Sequence, residues 1–149
     1  DTKMDNGMTV GEYAKATMLD EIERAVILCN KADEYDVPAL TDDEEKQCAS
    51  KAEDYMASIG EDIAAQFSVE QSAILAIYEK DALSMKVYNQ ILENLSETLR
   101  QEDDYKDMED SEFEQVLNDK FEEQYAQWKD TCKVETTETW EQLVIGAVG

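Results

Sequence analysis

From Ser68 to Arg100 the chain reads SVEQSAILAIYEKDALSMKVYNQILENLSETLR, without a single Pro or Gly. Ile74, Tyr78, Ala82, Met85, Tyr88, Leu92, Leu95 and Leu99 follow one another at steps of three or four. That period sets them along one side of an α-helix. Leu75, Leu83, Val87 and Ile91 form a second row beside the first. An apolar face this wide needs more than one neighbour to cover it, so the stretch is expected to be the central post of a helical domain. Ser68 and Gln71 have the S-x-x-Q spacing of a capping box and set the expected start of that helix.

The rest of the chain offers little that would build anything but helices around this post. Five Gly and one Pro in 149 residues leave few of the turn residues that sheets and hairpins need. The sequence therefore predicts an all-α fold of about four to six helices around one long helix at about 68–100. Residues Asp1 to Met8 read as a frayed start. Thr9 and Glu12 form a T-x-x-E capping box that opens a helix through about Tyr35. Its expected inward face carries Met18, Leu19, Ile22, Val26 and Cys29, and it must end before Pro38.

Thr41 and Glu44 form a third box, with Asp42 and Asp43 adding negative charge at the positive end of the helix dipole. The helix they open carries Cys48, Ala52, Tyr55, Met56 and Ile59 and is expected to stop near Gly60, a C′ residue. A short helical piece from Glu61 then delivers Phe67 to the core. Beyond Arg100, the segment QEDDYKDMEDSE at 101–112 loses its apolar period and reads as an acidic connection. The period returns with Phe113, Val116, Leu117, Phe121, Tyr125 and Trp128 on a helix expected from about Ser111 to Thr131. KVETTET is β-branched and unhelical, and Thr136 or Thr137 caps a last short helix with Trp140, Leu143 and Val144. The organisation is one domain over 1–149, an N-terminal part (9–100) and a closing part (111–145) joined at 101–112.

Composition excludes several functions. With 13 basic and 37 acidic residues the net charge is −24, the wrong sign for phosphate neutralisation, so no nucleic-acid partner is expected. No His is present, which removes His bases, triads and metal ligands together. Cys29, Cys48 and Cys132 form no C-x-x-C pair, and spacing does not fix whether any two of them bond. The acidic segment 101–112 lacks the alternating Asp ligands and central Gly of an EF-hand loop. Neither phosphate-cradling glycine motif occurs. No metal, no cofactor and no catalytic residue are expected.

The Met and aromatic side chains carry the remaining signal. Met56, Phe67, Tyr78, Met85, Tyr88, Tyr125 and Trp128 are large, and such side chains serve either as core or as the lining of an adaptable groove for extended peptides.

Three stretches together resemble the helical chaperone domain of the SurA/PrsA-like peptidyl-prolyl isomerases. ADEYDVPALTDDEEKQ (32–47) is similar to that family's helix, turn, helix step. FSVEQSAILAIYEKDALSMKVYNQIL (67–92) is similar to its capped, tyrosine-bearing helix. FEEQYAQWKDTCKVETTETWEQL (121–143) is similar to its closing helix with Y-x-x-W and a final Trp. The trigger-factor C-terminal helices read similarly around VPALTDDE. The resemblance implies an extracytoplasmic chaperone that binds unfolded or extended polypeptides, tethered as a lipoprotein or secreted, with its leader removed. It also implies that the family's catalytic parvulin domain would sit near 101–112, where this chain has only the acidic connection, so no isomerase activity is expected. The competing expectation is a helical docking or oligomerisation module, for which a homodimer is the simplest form.

Overall fold

The structure is a computed structural model and describes residues 3–142. Among these, five helices and no strand occur: α1 (Val10–Asn30), α2 (Asp42–Gln66), α3 (Gln71–Leu99), α4 (Asp110–Thr131) and α5 (Glu138–Gln142). The fold is all-α, and α3 is its post, since α1, α2 and α4 each pack against it. No helix among the described residues is long and apolar enough to cross a membrane.

Local chemistry explains where the helices begin. In α1 the Thr9 hydroxyl accepts the Glu12 amide while the Glu12 carboxylate accepts the Thr9 amide at 2.8 Å. Thr41 and Glu44 do the same at the start of α2. Each box satisfies two amides that the helix itself leaves without acceptors. The expected box at Ser68 does not form. Ser68 has φ of 53°, the left-handed residue that closes α2, with the Val69 amide bonded back to the Ala64 carbonyl. That 6→1 bond is a Schellman closure. It takes Ser68 out of the extended conformation a cap requires, so α3 starts behind Glu70 with no side-chain cap.

The end of α1 is a second closure of this kind. The regular ladder stops at Asn30, five residues before the expected end, because the next amides reach back three residues instead of four. Helical turns continue to Tyr35, and Asp36 (φ 54°) lets the Val37 amide bond the Ala32 carbonyl. Val37 is thereby buried in the core beside Pro38. Gly60 breaks α2 rather than ending it. Its φ of 78° and ψ of 160° belong to a region that glycine alone enters freely, and a last helical piece follows through Gln66. That piece does not bury Phe67, which stands 66% exposed at the α2–α3 corner. Residues 3–8 are also closed: the Met4 amide donates to the Met8 carbonyl and the Gly7 amide to the Met4 carbonyl, in a turn with Gly7 at φ 83°. The described part of the expected frayed start is therefore turned back on itself, and Asp1 and Thr2 lie outside the described residues.

The core joins Ile27 and Leu28 of α1, Val37, Val87 and Ile91 of α3, and Phe121 and Tyr125 of α4. Burying an aliphatic or aromatic side chain of this size is worth about 1.5–3 kcal/mol. Tyr88 meets Phe121 edge-to-face at 4.7 Å, a preferred aromatic arrangement. On the other side of α3, the buried positions of α2 are the small Cys48 and Ala52, which let the two helices approach closely. The inward face of α1 differs from expectation. Met18 and Ile22 are exposed, because only the C-terminal half of α1 lies on the core.

Cations join the helices. Lys86 of α3 donates to Glu44 of α2 at 2.8 Å and to the Ala39 carbonyl at 3.3 Å. Arg100, just after α3, organises the acidic connection. Its guanidinium donates to the carbonyls of Tyr105 (3.1 Å) and Met108 (2.9 Å) and to Asp110 (2.8 Å), and it lies 3.7 Å over the Phe113 ring. The connection at 101–109 is thus folded back on one side chain. After α4, Thr137 caps α5 by accepting the Trp140 amide at 3.3 Å. Lys15 of α1 donates to the Glu141 carbonyl at 3.1 Å and lies over the Trp140 ring. Leu143 and Val144, expected on this helix, fall outside the described residues.

Candidate functional site

Two open clefts adjoin along α1. The first, between α1 and α3, has a volume of about 380 Å³ and a floor of Ala25, Leu28, Met85 and Tyr88. Its lips are Glu21 on α1 and Asp81 on α3. The second, between α1 and α4, has a volume of about 300 Å³ and is lined by Thr17, Asp20, Tyr125 and Lys129. Glu21 and Arg24 belong to both, so Arg24 marks the point where one cleft passes into the other.

Helical spacing produces this arrangement. Thr17, Glu21, Arg24 and Leu28 advance by steps of three or four on α1, which brings them to one side of the helix. Phe121 and Tyr125, four apart on α4, present two rings to the Arg24 guanidinium, at 5.0 and 4.8 Å. Arg24 also donates to Glu122 at 2.8 Å. The flat guanidinium stacks on the two rings through its face while its edge pairs with Glu122. Its bond to Glu122 holds the Arg24 pKa above its ordinary value.

Lys129 fixes the far wall. It donates to Asp20 at 2.8 Å and lies 3.3 Å from Glu23, and its bond to Asp20 raises its pKa. The buried Glu23 oxygen that faces it has no aligned hydrogen bond, so charge attraction rather than a directed bond satisfies it. Tyr125 is buried between these charges, and that burial pushes its hydroxyl pKa up. Both cations of the clefts are therefore occupied by protein carboxylates. Among the described residues, Glu21 and Asp81 have no cation within ion-pair distance.

Of the seven groove residues expected from sequence, the structure brings three to these clefts: Met85 and Tyr88 in the first, Tyr125 in the second. Trp128 instead packs against Tyr35 at 6.2 Å, under Lys31. Met56 and Tyr78 are half-buried elsewhere on α2 and α3, and Phe67 is exposed at the corner. Sequence reasoning missed Arg24, which lies off the apolar row expected to face inward on α1. The i, i+4 aromatic pair at Phe121 and Tyr125 is the signal that a cation-stacking platform lies opposite. The described residues contain no cluster of three or more acidic or Cys side chains arranged to hold a metal ion. All three cysteines are free thiols: Cys48 buried, Cys132 exposed, and Cys29 donating to the Lys80 carbonyl at 3.2 Å.

Set against family models, curated proteins and solved structures, the chain matches none of them.

Proposed function

We propose that the protein binds extended polypeptide segments along the α1 clefts and holds them without covalent chemistry, as a chaperone does. The observation that carries the reading is the gathering of Met85, Tyr88 and Tyr125 about Arg24 in two adjoining open clefts, the first with an apolar floor. Adaptable Met and aromatic surfaces suit clients of varied sequence. The likeness of three stretches to SurA/PrsA-like chaperone domains supports the same reading, and an extracytoplasmic address goes with it. The test is suppression of aggregation of a chemically unfolded client at stoichiometric ratio. Protection that is lost in Met85→Asp supports the proposal, and equal aggregation with and without the protein ends it.

A second reading rests on a separate surface. Met18 and Ile22, four apart on α1 and lining neither cleft, are exposed apolar side chains. Such a face suits docking to one partner or to a second copy. Light scattering separates the two readings. A stable dimer dissociated by Ile22→Glu favours the docking module, whereas a monomer that protects clients favours the chaperone.

A further inference from the structure

The floor of the α1–α3 cleft is apolar, but its lips are not. Glu21 and Asp81 line the cleft from different helices, and both are exposed. The one cation that lines the cleft, Arg24, is taken by Glu122 and by the rings of Phe121 and Tyr125. Lys129, the cation of the adjoining cleft, is shared by Asp20 and Glu23. The rim thus keeps an uncompensated pair of carboxylates beside an apolar floor, in a chain of net charge −24. Grooves lined by one sign of charge concentrate ligands of the other.

We infer that this cleft selects polypeptide segments in which an apolar side chain is flanked by Lys or Arg. The apolar group rests on Leu28, Met85 and Tyr88, and the flanking cations meet Glu21 and Asp81. The inference rests on the polypeptide-binding reading above and adds the chemical class of the client. Acidic segments are rejected by the same two carboxylates, so the device discriminates as well as attracts.

Fluorescence anisotropy of the full chain with three short peptides of equal apolar content, flanked by Lys, Gln or Glu, tests it. The Lys peptide is expected to bind about tenfold more tightly than the Gln peptide, the gain of two partly exposed ion pairs. Raising salt from about 0.1 M to about 1 M shortens the screening length from about 10 Å to about 3 Å and should remove that advantage. The double variant Glu21→Gln/Asp81→Asn should bring the Lys and Gln peptides within about twofold of each other, if each pair contributes as exposed pairs do. Met85→Ser should weaken both, and circular dichroism checks that these surface changes leave the helices intact.

If the Gln peptide binds as tightly as the Lys peptide, the charge selection falls while the groove stands. If the Lys advantage survives the double variant, it belongs to the diffuse field of the whole protein and the site is wrong. If no peptide binds, or Met85→Ser changes nothing, the polypeptide-binding reading itself is overturned.

Discussion

Replacing Arg100 by Ala should undo the join between α3 and α4. Its guanidinium makes two bonds to backbone carbonyls, one ion pair to Asp110 and one stacking contact with Phe113. The pair contributes least, because Asp110 is almost fully exposed, and such pairs are worth about 0–1 kcal/mol. Stacking on Phe113 adds about 0.5–1 kcal/mol. Charge-assisted bonds are worth about 1.5–3 kcal/mol each at full burial, and with the Arg100 side chain 30% exposed the lower end applies. Partial rehydration of the freed carbonyls of Tyr105 and Met108 reduces the sum further. The expected loss is about 2–4 kcal/mol. Urea denaturation measures it: with a slope of about 2 kcal/mol/M, the midpoint falls by about 1–2 M. Arg100→Lys should recover less than half, since one ammonium group cannot serve acceptors set around a planar fork. Asp110→Ala should cost under about 1 kcal/mol. An Arg100→Ala midpoint within about 0.3 M of the parent would refute the assignment of this residue as the organiser of the connection.

Phe121, wholly buried between Tyr88 and Tyr125, should cost about 3–5 kcal/mol when cut to Ala, read by the same denaturation. Gly60→Ala should destabilise by about 1–3 kcal/mol although nothing lies within 4 Å of the added carbon, because the backbone angle alone excludes it. Ser68→Gly should instead stabilise by a few tenths to about 1 kcal/mol, as its left-handed angle suits glycine. Glu44 is held down at about 2, against an ordinary value of 4.5, chiefly by the Lys86 ammonium and then by the Thr41 amide. A depressed carboxylate stabilises the fold above its unfolded pKa and ceases to do so as pH falls through the folded one. Glu44→Gln should therefore flatten the acid limb of the stability–pH curve between about 4.5 and about 2.

The features legible in the sequence are those that short-range chemistry decides. The boxes at Thr9 and Thr41 form because all four partners lie within four residues. The breadth of the apolar face on α3 announced that several helices would cover it, and three do. Ser68 shows the limit of such reasoning. It fits a cap by spacing, yet the helix before it claims the same residue for its own closure. Met18, Ile22 and Phe67 show another limit: period assigns a face, but only the crossing of helices decides how far along it burial extends. The clefts were illegible for the same reason. Glu21 and Asp81 are 60 positions apart in sequence, and nothing local to either indicates the other.

The doubling back of the connection also bears on what this scaffold can carry. Arg100 gathers Tyr105, Met108 and Asp110 to itself, so the chain leaves and re-enters the helical body within the span of one side chain. The tip between them, at Asp103 and Asp104, is exposed. Its two flanks already stand as close as the termini of most folded domains, and exposed tips are where insertions are best tolerated. Lengthening a loop costs only about 0.6 kcal/mol for each doubling. A second folded unit grafted at this tip would meet a socket, with the helices beneath left as they are.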